Sequence, residues 1–455
     1  MKLNMSADID MLSGRPLRAI VAFAVPLILG NLFQLFYTTA DVMIVGKYAG
    51  VTSLAAVGAC APALLLITGL FIGAANGMSL VVSQQYGAGR VSAAKAAVVN
   101  GLYLLMAAVA AVTALSFATL DRLFALLNVA PELLDEARAY MRILLGGLPF
   151  TALYHYEAAV LRARGNSLVP LLCLIFTSTL NIFLDVLFVS VFSLAASGVA
   201  FATVLAQGVC VLLCWLFIKK RGGLLPLHAE EKRPDARMLM LHVKNGLPMA
   251  GFHSLLAVSF IVMQSALNAL GVQEIAAYTA AVKMDSVVML SMSGFGMALS
   301  TFTATNYGKK EFGRIKAGAW DTLKITMTVS ALIAVTGHFC GATFMKAFVN
   351  AEETEVIALG ARYIDFASLC YWILGVNFVV RFVLTGLGQS VVPLGVGILE
   401  IFIRVLGTRF LIMPLGYRGM IYINPLCWIV STALVALFYF PLMNGAFRKA
   451  QTSAD

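Results

Sequence analysis

Long apolar runs recur along the whole chain, and short polar segments separate them. Runs of about twenty apolar residues are typical of helices that cross roughly 30 Å of hydrocarbon at about 1.5 Å per residue. Strands of a membrane barrel would instead alternate polar and apolar residues at every second position. The pattern therefore predicts an all-α integral membrane protein with twelve transmembrane helices. The predicted spans are 17–40, 54–82, 94–118, 137–160, 168–191, 198–218, 239–265, 276–304, 316–340, 360–384, 391–413 and 418–443.

The composition supports this class. Apolar residues make up 60% of the 455 positions and charged residues 12%, whereas about a quarter of a soluble domain is charged. This balance excludes a disordered or coiled-coil chain and leaves too little polar surface for a soluble globule. The seven cysteines include no CxxC pair, so we interpret them as small buried hydrophobic residues rather than disulfides or metal ligands.

Lysine and arginine are distributed asymmetrically between the predicted loops. They cluster in the N-terminal tail, in the even-numbered loops and in the C-terminal tail, whereas two of the opposite loops are acidic. Cytoplasmic loops carry such an excess of basic residues, so both termini are predicted to be cytoplasmic. We interpret the formal net charge of +10 as a signal of topology, and we expect no nucleic-acid partner.

The chain contains an internal repeat of six spans. Matching positions in the two halves include Pro26 with Pro248, Tyr86-Gly87 with Tyr307-Gly308, Lys95-Ala96 with Lys316-Ala317, and Pro170 with Pro393. Because six is even, both halves run the same way through the membrane, as in parallel-repeat transporters. We predict two pseudo-symmetric six-helix lobes, 1–218 and 239–455, which a basic cytoplasmic linker, 219–238, joins. A static channel or scaffold remains the alternative to a transporter.

Several oxygen-bearing side chains lie inside the predicted spans, where a central charge costs at least about 2.5–3.5 kcal/mol. Asp41 lies about 36 Å along span 1 and Asp185 about 26 Å along span 5, both toward the outer side. Asn181 shares a helix face with Asp185, and Thr203 lies about one and a half turns into span 6. Such oxygen ligands suit a hard monovalent cation or a shared proton. The predicted cation- or proton-binding residues are Asp41, Asn181, Asp185 and Thr203.

The second half does not repeat the two acidic residues. Met263 or Gln264 corresponds to Asp41, and Thr408 corresponds to Asp185. A purely structural role would more naturally recur in both halves, although hydrogen-bonded packing of the acids remains an alternative. Arg404 corresponds to Asn181 and is expected to neutralise Glu400, which lies one helical turn before it.

Three other polar residues inside the predicted spans are assigned possible roles. Gln34 and Tyr37 lie on the face of Asp41 and are predicted to line a substrate cavity. Asp365, near the outer end of span 10, is a possible second cation ligand. The sequence contains no HExxH, GxSxG or phosphate-binding loop, so we predict no enzymatic activity, no cofactor and no metal beyond Na⁺ at the cation site.

Taken together, the motifs and their order resemble the multidrug and toxic compound extrusion (MATE) transporters over most of the chain. The stretches that carry the resemblance are Val25-Pro26, Asp41–Gly46, Leu54–Gly58, Gln84–Gly89, Arg164–Asn166 and Asn181–Asp185. The resemblance implies two six-helix lobes in a V-shape around a central cleft. It also implies efflux of amphipathic organic cations in exchange for H⁺ or Na⁺ by alternating access.

Within that family the chain resembles the prokaryotic branch whose cation site lies in the N-terminal lobe. The family site carries over onto Asp41, Asn181, Asp185 and Thr203, with Tyr37 nearby. We accordingly expect a monomer in the plasma membrane of a prokaryote, with small organic cations and the lipid bilayer as partners. The alternatives are a flippase for a lipid-linked saccharide and a membrane scaffold that transports nothing.

Overall fold

The computed structural model describes residues 8–127, 129–221, 226–268, 270–350 and 352–451. All regular secondary structure within these ranges is helical. Part of the predicted linker, residues 222–225, lies outside the described residues. The prediction of an all-helical membrane protein is confirmed, and each predicted span corresponds to one long helix.

The first six long helices are connected by short turns. Their bounds are α1 Pro16–Ile44, α2 Val51–Gly87, α3 Val91–Leu126, α4 Leu134–Ala163, α5 Leu168–Val186 and α6 Ala195–Arg221. Helices α1 and α5 continue into single π-helical turns, Val45–Ala49 and Leu187–Val191. Such π turns are often found at functional sites.

The second six long helices follow the same order. Their bounds are α7 Ala236–Asn268, α8 Val272–Gly308, α9 Phe312–Lys346, α10 Thr354–Gly386, α11 Val391–Gly407 and α13 Tyr417–Gln451. A π-helical turn, Thr408–Ile412, and the short helix α12, Met413–Leu415, lie between α11 and α13. The π turn after α11 parallels the one after α5.

Eleven of the twelve long helices in the described ranges are long and apolar enough to cross a membrane. The exception is α4, which has 30 residues but carries Asp135 and Glu136 in its first turn and Arg162 in its last. Its middle packs against α2, α3 and α6. Its interior also contains Tyr154, His155 and Glu157, which lower its mean hydropathy although the helix is long enough to span.

The described residues divide into two compact units. Unit 1 holds the described residues up to Asp10 and Ala22–Ser254, and unit 2 holds Met11–Val21 and the described residues from Leu255 onward. The first part of α7 belongs to unit 1, where it packs against glycine positions of α2. A Cβ atom at Gly73 would lie 2.2 Å from the Met249 carbonyl oxygen, so the two backbones are in direct contact there. The lobe boundaries at 218 and 239 stay a prediction.

Each unit has its own apolar core. In unit 1 the core includes Phe71 of α2, Leu105 of α3 and Leu145 of α4, and all three are buried. In unit 2 it centres on two buried tyrosines of α10, Tyr363 and Tyr371. These cores fix the helices that carry the polar residues described below.

Candidate cation site

The C-terminal ends of α1 and α5 and the N-terminal end of α6 meet in unit 1. Ile44 and Val45 of α1 form a small buried cluster with Val189 of the α5 π turn and Val199 of α6. Asp41 lies one turn before this cluster on α1, and Asp185 is the penultimate residue of α5, two residues before the π turn begins. The apolar cluster therefore holds the two acidic residues at the same level of the bundle.

The carboxyl groups of Asp41 and Asp185 lie close enough to hydrogen-bond each other once one of them carries a proton. Asp185 has no exposed surface, and Asp41 is half-buried. Within the described ranges, no protein donor reaches the Oδ1 atom of Asp41 or either oxygen of Asp185. Two unpaired buried carboxylates are costly, so a proton or a cation is the simplest way to neutralise this pair.

Asn181 adds a further unsatisfied group. Its side chain is 2% exposed, and neither its Oδ1 nor its Nδ2 atom has a partner among the described residues. It precedes Asp185 by one helical turn, so both side chains leave α5 on the same face. A buried amide without protein partners is rare and indicates a place for a ligand or water.

Thr203 of α6 completes the predicted set. Its hydroxyl donates a 2.9 Å hydrogen bond to the Val199 carbonyl oxygen. Because the hydroxyl proton is used in this bond, the oxygen lone pairs stay available to a cation or a donor. The structure thus brings all four predicted site residues into one region of unit 1.

A small cavity adjoins the acidic pair. Gln34 and Tyr37 line it together with Asn181 and Thr203, and its interior volume is about 40 Å³. A cavity needs about 10–15 Å³ for one water molecule, whereas pockets for drug-sized ligands are roughly 300–1,000 Å³. The space around Gln34 and Tyr37 in unit 1 therefore fits a small ion with water, and is too small by itself for an organic drug.

The sequence analysis did not anticipate the contribution of α4. The hydroxyl groups of Tyr37 and Tyr140 both lie within electrostatic range of the two carboxylates. Tyr140 lies six residues, about 9 Å, from the start of α4. Asp185 lies the same number of residues from the end of its π turn at Val191, so the two residues are at a similar depth in the bundle. This common depth is the one signal in the sequence that points to Tyr140. Tyr154 and His155, also of α4, line the cavity.

Asp365, the possible second cation ligand, lies in unit 2 on α10. Its Oδ1 atom is 2.7 Å from Nδ1 of His338 on α9, and about half of each side chain is exposed. Asp365 thus has a protein partner, unlike the Asp185 carboxyl group and the Oδ1 atom of Asp41. Its role as a cation ligand stays a prediction.

The positions of unit 2 that correspond to the cation site are occupied differently. Arg404, which corresponds to Asn181, donates a 2.7 Å hydrogen bond to the Ser259 hydroxyl and lies 3.4 Å from Glu400. The Thr408 hydroxyl donates to the Arg404 carbonyl oxygen. Unit 2 therefore holds a guanidinium group where unit 1 holds an unsatisfied amide.

Unit 2 also contains a buried acid with partners that the sequence did not indicate. The hydroxyl groups of Tyr363 and Tyr371 each donate a 2.5 Å hydrogen bond to Asp285 of α8. Asn424 of α13 donates to the Tyr363 oxygen at 3.0 Å. Asp285 is therefore satisfied within the protein. In the part of the chain that the structure describes, no group of three or more His, Cys, Asp or Glu residues could hold a metal ion.

Comparison with known proteins places this arrangement in context. The MatE family model matches the chain twice, over residues 26–187 and 248–408. The "Probable multidrug resistance protein YpnP" of Bacillus subtilis (strain 168) is 24% identical over 432 residues, which cover 94% of this chain and 96% of that protein. The "Probable multidrug resistance protein YoeA" of the same strain is 30% identical over 354 residues, or 75% of each chain. A crystal structure of a MATE protein in its bent conformation has a TM-score of 0.89 at 22% identity, covers 98% of this chain and 99% of its own, and shows the same fold.

Proposed function

This chain belongs to the MatE family of membrane transporters, which are not enzymes, and we propose that it exports amphipathic organic cations in exchange for H⁺ or Na⁺. The observation that carries the proposal is the pair of carboxyl groups, Asp41 and Asp185, in which Oδ1 of Asp41 and both oxygens of Asp185 have no hydrogen-bond partner among the described residues. The bacterial multidrug resistance proteins that resemble it over most of their length support small drugs as the exported class.

In the proposed mechanism, the coupling ion binds at the acidic pair. A proton bridges the two carboxyl groups, or Na⁺ takes oxygen ligands from both and from the Asn181 amide and the Thr203 hydroxyl. In either case the ion neutralises a charge that is costly inside the bundle. An organic cation is held by the same negative charge when the ion is absent, so the two compete and each displaces the other.

The driving force is adequate for efflux. One inward ion balances the charge of a monovalent organic cation, and each further elementary charge that moves inward down a membrane potential of 100 mV releases about 2.3 kcal/mol, which supports roughly a fiftyfold gradient of the exported compound. A difference in H⁺ or Na⁺ concentration adds to this. The residues of the site do not distinguish the two ions, because carboxylate, amide and hydroxyl oxygens serve both.

We also propose that both termini are cytoplasmic and that the two lobes move during transport. With both termini in the cytoplasm, the acidic residues lie toward the outer half of the membrane, where an ion that enters from outside reaches them first. The lobes 1–218 and 239–455 then alternate between inward and outward access. We propose a monomer in the plasma membrane of a prokaryote.

The test is efflux of a fluorescent organic cation from proteoliposomes with an imposed pH gradient or an imposed Na⁺ gradient. Asp41→Asn and Asp185→Asn should each abolish coupled efflux while the protein still folds. Asp121→Asn is the matched control, since it removes an acid of unit 1 that accepts a hydrogen bond from Arg138 and belongs to no predicted site. Coupled efflux that persists in both site variants would refute the assignment, and the gradient that drives wild-type efflux identifies the ion.

A further inference from the structure

A third acidic residue of unit 1, the half-buried Glu157 of α4, also has a carboxylate oxygen without a protein partner among the described residues. Its Oε2 atom is buried, and no donor in the described part of the chain reaches it. Tyr154 and Leu161 lie three residues before and four residues after it, on the same helix face. Both pack in a cluster with Val169 of α5 and Cys214 of α6. The Glu157 carboxyl group therefore faces an apolar interior between three helices.

Among the residues that the structure describes, no lysine, arginine or histidine forms an ion pair with Glu157. On α5, Cys173 lies within electrostatic range of the carboxyl group. On α6, Cys214 interacts with the Cys173 thiol. On its own helix, Arg162 instead directs a guanidinium N–H toward Asn76 of α2, at 3.3 Å. A charge on Glu157 would thus lie beside thiols and apolar groups, while the Arg162 guanidinium group lies within electrostatic range of Tyr154 and Cys214 in the same cluster.

These thiols connect Glu157 to the cavity beside the acidic pair. Cys214 interacts with Cys173 on one side and with Cys210, one turn earlier on α6, on the other. Cys210 lines the cavity that Tyr37 and Asn181 also line. Thiols are weak donors and weak acceptors, so these three side chains form a weakly polar run between the surroundings of Glu157 and the cavity.

Glu157 and the acidic pair lie at different depths. Glu157 is six residues, about 9 Å, from the end of α4 at Ala163, whereas Asp185 is about 26 Å from the neighbouring start of α5 at Leu168. The two acidic sites are therefore separated by about half of the hydrocarbon thickness. With the proposed topology, Glu157 is the acid nearer to the cytoplasm.

We propose that Glu157 is a second proton-binding carboxyl group of unit 1, which takes up a proton on the opposite side of the cavity from Asp41 and Asp185. The proposal rests on the proposed function for its place in transport, although proton binding itself does not. Uptake converts the buried carboxylate to a neutral carboxylic acid, and release toward the nearer membrane surface restores the carboxylate. No other bond changes.

Infrared difference spectroscopy of the full-length protein in lipid nanodiscs, titrated over pH, tests proton binding directly. A protonated buried carboxyl group gives a C=O stretching band, and Glu157→Gln should remove one such band. The double variant Asp41→Asn/Asp185→Asn should keep that band and lose others. If Glu157→Gln retains every carboxyl band of the wild type, the proposal is overturned.

The role in transport is measured separately. Glu157→Gln should change the dependence of coupled efflux on the pH of the cytoplasmic side, and Glu157→Asp, which keeps a carboxyl group, should restore part of it. Glu136→Gln is the matched control on α4, because Glu136 accepts hydrogen bonds from the Ser53 hydroxyl and the Ala196 N–H. An unchanged pH profile in Glu157→Gln would contradict the transport role. A failure of the proposed function would remove efflux from the wild type but leave the Glu157 band intact.

Discussion

The Tyr371 hydroxyl donates a 2.5 Å hydrogen bond to Oδ1 of Asp285, which joins α10 to α8 inside unit 2. Tyr363, two turns earlier on α10, donates to the other carboxylate oxygen. Asp285 is 3% exposed, so these two hydroxyl groups replace the water that an exposed carboxylate would have. Both bonds have a charged acceptor and belong to the stronger class of hydrogen bonds.

Tyr371→Phe should therefore destabilise unit 2. The substitution removes one hydroxyl donor and leaves a carboxylate oxygen buried without a partner, which costs about 1.5–3 kcal/mol. Thermal unfolding of the purified protein in detergent should show a lower midpoint. Tyr417→Phe is the matched control, because the buried Tyr417 hydroxyl has no hydrogen-bond partner among the described residues, and its removal should leave the midpoint unchanged or raised. Equal midpoints for Tyr371→Phe and wild type would contradict the prediction.

The contrast between Asp285 and Asp185 shows what the sequence can predict. Hydropathy is local, so the twelve helices and the in-span acids can be identified from the chain alone. Partners of a buried acid lie on other helices, and neither the repeat nor helix periodicity points to Tyr363 or Tyr371. Asn181 and Asp185 could be associated because they share one helix face, and the depth of Asp41 and Thr203 placed them beside α5.

The sequence analysis predicted helix α4 but not the side chains that α4 contributes to the cation site. Depth alone could have associated Tyr140 with the acidic pair, but it does not determine which face of α4 packs against α2, α3 and α6. Glu157 falls within the predicted span 137–160, but its lack of a cation partner depends on side-chain directions that the sequence does not give. Arg162, only five residues away, turns toward Asn76 instead.

Gly73 of α2 lies directly against the backbone of α7. A Cβ atom there would lie 2.2 Å from the Met249 carbonyl oxygen of α7, which cannot rotate away. Gly73→Ala should force the helices apart and cost about 1–3 kcal/mol. Gly58→Ala, on the same helix, adds a Cβ atom with nothing within 4 Å and should be neutral or slightly stabilising, because alanine favours helix. Thermal midpoints in detergent compare the two, and a midpoint for Gly73→Ala equal to that for Gly58→Ala would show that the contact is not tight.

The Glu400–Arg404 pair should behave as a buried ion pair. The side chains are 12% and 10% exposed and lie 3.4 Å apart. Arg404→Met removes the ion-pair partner of Glu400 and should cost up to about 3–5 kcal/mol, with Arg381 the remaining cation in electrostatic range, whereas Glu400→Met/Arg404→Met should recover most of the loss. Lys324→Met is the control, since Lys324 is 63% exposed in its pair with Asp321 and such pairs contribute about 0–1 kcal/mol. A double variant as unstable as Arg404→Met alone would indicate that Arg404 acts through packing rather than charge.

The described part of the linker is bound to the start of α3. Glu231 Oε2 accepts a 2.9 Å hydrogen bond from the His228 N–H, and Lys95 of α3 lies 4.0 Å away. Asn100 of α3 accepts a 2.8 Å hydrogen bond from the Asp235 N–H. The His228 N–H, followed by Ser92 and Lys95, lowers the pKa of Glu231 below its ordinary value. The ionised form of Glu231 therefore stabilises the folded linker.

The pKa of Glu231 is lower in the folded protein than in the unfolded chain. Its stabilisation of the folded linker is therefore present above the unfolded pKa of about 4.3 and is lost as the pH falls through the folded pKa. Glu231→Gln should thus accelerate amide hydrogen exchange in the linker at neutral pH. The difference from wild type, compared at each pH, should disappear in acid, where wild-type Glu231 is also uncharged. Glu230→Gln, at the exposed neighbouring position, should exchange like wild type throughout. If Glu231→Gln and Glu230→Gln exchanged equally at neutral pH, Glu231 would not anchor the linker.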